Sequence, residues 1–171
     1  NRPSPTCGNM KTLIECVPNF SEGRRGNVVA LIVAAMRAVP EARVLDVESD
    51  VDHNRSVVTL VGPPGAVQEA AFQGIKTAAA LIDLDAHRGE HPRLGATDVA
   101  PFIPISGVTM ADCVALARDL GRRVGEELGI PVYLYEQAAL RPERVNLEDV
   151  RRGEYEALKA EIGVNPARDP D

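Results

Sequence analysis

Val44-Leu45-Asp46-Val47-Glu48 and Ser56-Val57-Val58-Thr59-Leu60-Val61 are two β-rich runs joined only by the polar stretch Asp50-Val51-Asp52-His53-Asn54-Arg55. β-branched side chains fit an extended, half-buried backbone, so both runs are expected to be strands. A connection this short can reverse a strand but cannot carry a crossover helix. The pair is therefore expected to form adjacent antiparallel strands. That counts against an open three-layer α/β fold, in which every strand would alternate with a helix.

Upstream, Thr12-Leu13-Ile14-Glu15-Cys16-Val17 is a short first strand, stopped by Pro18 and a turn through Gly23. Val28, Leu31, Ile32, Ala35 and Met36 then fall at helical spacing, and Pro40 closes that helix. Downstream, Gly62-Pro63-Pro64 ends the third strand. A long helix follows, with Val67, Ala70, Ala71, Ile75, Ala78, Ala79 and Ile82 on one face. Pro101-Phe102-Ile103-Pro104-Ile105 is a fourth strand whose prolines demand an edge position or a bulge. Thr109 and Asp112 start another helix as a capping box, and Gly129 ends it in the left-handed region. Val132-Tyr133-Leu134-Tyr135 reads as a last strand, and Asn146 as the cap of a short helix. The order is βαββαβ followed by αβ. The expected class is α+β: a ferredoxin-like sandwich with an additional αβ unit and a polar carboxyl-terminal tail.

With 171 residues, 44% hydrophobic and 26% charged, the chain suits one globular domain with a tail. A net charge of −6 and only 4% aromatic residues argue against nucleic acid as a partner. Cys7, Cys16 and Cys113 are odd in number and lack CxxC spacing, which suggests a reducing, cytoplasmic setting without disulfides or a zinc ribbon. No apolar run reaches transmembrane length, so no membrane partner is expected. Residues 1–10 read as a leader or remnant outside the fold, 11–160 as the domain, and 161–171, rich in Pro and Asp, as the start of a linker.

The densest chemistry lies in His87-Arg88-Gly89-Glu90-His91-Pro92-Arg93-Leu94-Gly95. Gly89 and Pro92 prevent an ordinary helix there, so the four-residue spacing of His87 and His91 is a weak metal signal, and no metal is expected. A third ligand would have to be His53 or an acid. A histidine near Glu90, Asp98 and Arg93 suits general acid–base work, because its ordinary pKa is near neutrality. The flanking arginines could hold an anionic substrate. Asp50 to Arg55 lacks the central Gly and terminal Glu of a calcium loop. It reads better as a turn facing the His91 segment. Val17 to Gly23 has no phosphate-loop spacing; it is either a plain strand-exit turn or a donor surface carrying Asn19.

Taken together, Leu13 to Gly23 (LIECVPNFSEG), Asp52 to Arg55 (DHNR), Gly89 to Gly95 (GEHPRLG), Pro101 to Gly107 (PFIPISG) and Gly153 to Leu158 (GEYEAL) resemble the amino-terminal half of glutamate formimidoyltransferase. In animals this is the transferase part of formimidoyltransferase-cyclodeaminase. The resemblance implies formimidoyl transfer between N-formimidoyl-L-glutamate and tetrahydrofolate, a step of histidine degradation and one-carbon metabolism. It also implies two ferredoxin-like subdomains around a folate-lined tunnel, and a homodimer. His91 would be the general acid and base, with Glu48 or Asp46 as carboxylate partner. Arg93, Arg55 and Arg144 would clamp glutamate or folate carboxylates, and Asn19 and Asn54 would contribute polar contacts. Two departures stand out. The family's carboxyl-terminal subdomain, needed in cis or trans, does not follow within these residues, and Glu48 stands where Asp is expected. The alternatives are a non-catalytic folate-binding or assembly module, or the inactive half of a split enzyme.

Overall fold

A computed structural model of the protein describes residues 11–171; the expected leader over residues 1–10, with Cys7, lies outside the described residues. The architecture is α+β, an antiparallel sheet covered by helices. The two β-rich runs form β3 (Arg43–Asp50) and β4 (Arg55–Gly62), paired antiparallel from Arg43 opposite Val61 to Asp50 opposite Arg55. Asn54 makes the reversal possible by adopting φ 49°, a left-handed conformation that asparagine tolerates better than most residues. Along β4 every second residue is buried. Ser56, Val58, Leu60 and Gly62 face the helices, while Arg55, Val57, Thr59 and Val61 face away. Val58 and Leu60 are fully buried, which stabilises the fold by about 1.5–3 kcal/mol each.

β1 (Leu13–Cys16) pairs with β4 on one side and with β6 (Phe102–Ser106) on the other. The chain does not leave the sheet at Pro18, where the sequence predicts a stop. Pro18 lacks an N–H but its carbonyl accepts from Val58 N–H (3.1 Å), and β2 (Asn19–Phe20) resumes pairing with β4 and with β5 (Thr97–Val99). The predicted fourth strand, Pro101 to Ile105, forms as β6, and a short strand that was not predicted, β5, precedes it across Ala100-Pro101. They lie at the sheet edge, with a register shift where Leu13 and Ile14 meet β6. Across the sheet the order is therefore β3, β4, the β1/β2 line, then the β6/β5 line.

The first two helices match the expected apolar stripes. In α1 (Gly26–Arg37) Val28, Val29, Ile32, Val33 and Met36 are buried, and in α2 (Pro64–Leu81) Val67, Ala70, Ala71, Phe72, Ile75 and Ala78 are. Small residues let the two approach closely: a Cβ at Gly74 would sit 3.0 Å from the Met36 side chain. α3 (Met110–Leu128) carries the predicted capping box and ends at Gly129, φ 66°. Arg123 of α3 pairs with Glu69 of α2 and lies 3.7 Å above the Phe72 ring.

The predicted last strand does not form, so the expected αβ unit keeps its helix, α3, and lacks its strand. Val132–Tyr135 joins no ladder, because its polar groups bond the tail instead. Leu134 N–H donates to the Asp171 carboxylate (2.8 Å), Asp171 N–H to Val132 O (3.0 Å), and Tyr133 OH to Arg168 O (2.5 Å). Residues 161–171, read as the start of a linker, thus fold back on the domain. Two short helices precede them, α4 (Leu147–Arg151) and α5 (Glu154–Glu161). Asn146 occupies the N-cap of α4, but its side-chain amide goes to Asp149 rather than to the backbone.

Candidate active site

No regular element spans the segment from Ile82 to Ala96, so the His87-to-Gly95 loop takes its shape from what it touches. Gly89 lies flat against the β3–β4 turn: a Cβ there would come within 2.4 Å of His53 O. Glu90 N–H donates to Asp52 O (3.3 Å). Asn54 ties three segments together. Its Oδ1 accepts from Gly23 N–H (2.9 Å), and its Nδ2 donates to Arg88 O (3.0 Å). Gly23 is pressed against the same turn, where a Cβ would lie 2.2 Å from Asp50 O. The expectation that the 50–55 turn faces the His91 loop is met.

The two histidines of the loop do different work. His87 is 6% exposed and spans two fixed groups. Its Nδ1 accepts from Arg93 Nε (3.0 Å), so its Nε2 carries the hydrogen and donates to Asn54 O (3.0 Å). Arg93 continues this chain outward, donating to Glu154 (3.2 Å) and to both oxygens of Glu156 (3.0 and 2.8 Å) at the start of α5. Every donor group of Arg93 is therefore committed to protein partners. A free clamp for substrate carboxylates is not what this side chain offers.

His91 is set apart. Its ring is 12% exposed, and Nε2 is buried, without a hydrogen-bond partner, 3.7 Å from Asp98 Oδ2. Burial holds its pKa below the ordinary 6.5, and the positive charges of Arg55, Arg151 and His53 act in the same direction against the pull of Asp98. A neutral imidazole at neutral pH can accept a proton. Around it, Arg55 and Arg151 place positive charge in a chain whose net charge is −6, a setting that draws anionic groups. Arg55 makes no ion pair among the described residues.

The remaining predicted site residues are distributed unevenly. Glu48 and Asp46 lie exposed on β3, opposite Val57 and Thr59, and neither pairs with His91; the carboxylate beside the ring is Asp98. Arg144 is 3% exposed and committed elsewhere. It lies 2.7 Å from Asp171, donates to Asp169 O, and stacks 4.9 Å from the Tyr133 ring. Asn19 sits on β2 with its amide on Val17 O (3.0 Å). Asn54 shapes the loop from within. Sequence reasoning placed Asp98 near the histidine but did not find Arg151, an α4 residue whose only signal is its position before the GEYEAL stretch. It also missed Glu22, whose buried carboxylate accepts from the N–H groups of Arg24 (2.9 Å) and Arg25 (2.8 Å) and so fixes the entry to α1. Among the described residues, no group of three or more His, Cys, Asp and Glu side chains gathers as a metal site would require.

The chain is similar to curated proteins named for formimidoyl transfer. It is 57% identical over 153 residues to a glutamate formimidoyltransferase of Thermoplasma acidophilum, covering 88% of this chain and 50% of that protein. To the glutamate formimidoyltransferase of Streptococcus pyogenes it is 48% identical, covering 90% of this chain and 51% of the other. To the formimidoyltransferase-cyclodeaminase of Mus musculus it is 49% identical, covering 90% of this chain and 28% of the other. The chain thus spans about half the length, or less, of the curated relatives it matches. The family profile described as the formiminotransferase domain, N-terminal subdomain, matches residues 13–171. Matched over nearly its whole length, the chain belongs to the family of formiminotransferase amino-terminal subdomains.

Proposed function

We propose that this chain carries the proton-transfer half of a glutamate formimidoyltransferase site. It would move a formimidoyl group between N-formimidoyl-L-glutamate and tetrahydrofolate in cytoplasmic histidine degradation and one-carbon metabolism. The observation that carries the reading is His91: a largely buried imidazole kept neutral and surrounded by Arg55, Arg151 and His53. The chemistry needs such a group. N5 of the folate attacks the amidine carbon, a new N–C bond forms, and a tetrahedral centre results. The bond from that carbon to the glutamate nitrogen then breaks. One proton must leave N5 and one must reach the departing amine, and a near-neutral imidazole can take the first and return it as the second. In this reading Arg55 meets a carboxylate of glutamate or folate, supported by its closeness to His91 and its lack of an ion pair among the described residues.

The same reading makes the fold ferredoxin-like, supported by the strand order and by the helices on one face. The other sheet face, with Ile103 and Ile105 exposed at 37% and 54%, is where a carboxyl-terminal subdomain would supply the second wall, in cis or in trans within a homodimer. Buried, unpaired Cys16 and Cys113 suit the cytoplasm. The test is a formimidoyl-transfer assay on the chain with and without that subdomain. His91→Ala should abolish turnover in a protein that still melts cooperatively. Turnover retained by a folded His91→Ala protein overturns the assignment. Folate binding with no transfer under either condition would favour a non-catalytic binding module.

A further inference from the structure

A buried carboxylate is costly unless its oxygens are matched, and those of Asp98 are matched unequally. The side chain is 1% exposed. Oδ1 accepts from Leu94 N–H (2.7 Å), which fixes the carboxylate against the backbone of the His91 loop. Oδ2 accepts from Arg151 Nη2 and also faces His91 Nε2 at 3.7 Å, so two cationic or potentially cationic groups compete for one oxygen. The Tyr135 phenol lies nearby and stays protonated, since burial above all pushes its pKa up to about 12. It adds no negative charge of its own.

Resting on the reading of His91 as the proton-transfer residue, we propose that Asp98 is the carboxylate that positions His91, and that Arg151 is a positioning residue which limits how strongly Asp98 can draw that ring. A neutral imidazole carries one hydrogen. Placed on the nitrogen facing Asp98, it leaves the other nitrogen to accept a proton from the nucleophile. When the second proton arrives, the imidazolium and Asp98 can close from 3.7 Å to a charge-assisted hydrogen bond of about 2.8 Å. Arg151 opposes that closure by occupying Oδ2, and its charge, with those of Arg55 from β4 and His53 from the turn, disfavours the imidazolium. Through Asp98, α4 thus adds to the effects of burial and Arg55 on His91 from more than fifty residues farther along the chain.

The two residues act with opposite sign, and a purely structural role would not reproduce that. Asp98→Asn removes the attraction and leaves Arg151 unopposed, so the His91 titration should move down by about one pH unit. Arg151→Gln removes a cation and frees Oδ2, so it should move up by a similar amount, and Arg151→Lys should restore most of the original value. The readout is the His91 ring-proton NMR signal followed against pH in the whole chain. With three histidines in the sequence, it is assigned by its loss in His91→Gln. Shifts in the same direction, or no shift in either variant, overturn the proposal. If Asp98→Asn does not fold, the arginine pair carries the test alone, and an unmoved His91 in Arg151→Gln overturns it. The titration needs no turnover, so its outcome is distinct from failure of the transfer assay.

Discussion

Replacing Arg93 by lysine keeps the positive charge and removes the planar fork, and the structure says where the loss falls. The Arg93 side chain is 7% exposed, whereas Glu154 and Glu156 are 45% and 62% exposed. Ion pairs to carboxylates so open to water contribute about 0.5–1 kcal/mol between them. The larger effect lies inward. Arg93 Nε is the donor to buried His87 Nδ1, and lysine cannot serve that acceptor while reaching α5. An orphaned buried acceptor costs about 1–3 kcal/mol. Arg93→Lys should therefore cost about 2–3 kcal/mol, a fall in melting temperature of roughly 5–10 °C for a chain of this size. Glu156→Gln should cost less than about 1 kcal/mol. Thermal and urea unfolding followed by circular dichroism measure both. An Arg93→Lys protein that melts at the wild-type temperature but binds formimidoylglutamate or folate more weakly would refute the reasoning. It would return Arg93 to the substrate-clamp role expected from its position in GEHPRLG.

Three further outcomes follow from the same geometry. Gly89→Ala sets a Cβ 2.4 Å from His53 O; it should cost about 1–3 kcal/mol and sharply reduce transfer by lifting the loop, seen as a lower melting point together with lost turnover. His91 titrates below 6.5 when folded because of burial and Arg55, so the unfolded chain takes up that proton first as pH falls. Its contribution to stability is complete above about pH 6.5 and is lost below it, and His91→Gln should show a shallower acid decline in urea midpoints over that window. Arg144→Met would remove the cation 2.7 Å from Asp171, leaving that carboxylate Leu134 N–H and the more distant Arg141, and should cost about 1–3 kcal/mol in the same unfolding assays; unchanged stability with weakened folate binding would contradict its structural placement.

Much of the sheet was legible because periodicity reports burial directly. The run from Val44 to Val61 declared a hairpin, and β4 alternates as such a strand should. Pro18 misled because proline removes one donor but leaves its carbonyl, and that carbonyl continues the ladder. Val132–Tyr135 misled for a related reason. Branched and aromatic side chains mark an extended, half-buried segment, yet they cannot tell a neighbouring strand from a tail carrying Asp171 and Arg168. The site divides in the same way. Clustering exposed the His91 loop, since titratable residues on glycine- and proline-bound backbone stand out locally. Arginine, by contrast, looks the same in sequence whether it faces a ligand or a distant carboxylate. Arg93 and Arg144 proved engaged by protein partners, and Arg151, the one beside the histidine's carboxylate, was marked only by its place before GEYEAL.

The knot of contacts at Asn54 also has a kinetic meaning. Gly23, Asn54 and Arg88 are joined through one side chain, and Asp98 meets Arg151 across a still longer interval, so none of these bonds can form before large loops of chain have closed. The β3–β4 hairpin can assemble from nearby residues; the loop around His91 cannot. The site is accordingly expected among the last parts of the molecule to reach its final shape and among the first to open. Amide exchange at Arg88 to Leu94 should outpace that of the β4 core well below global unfolding.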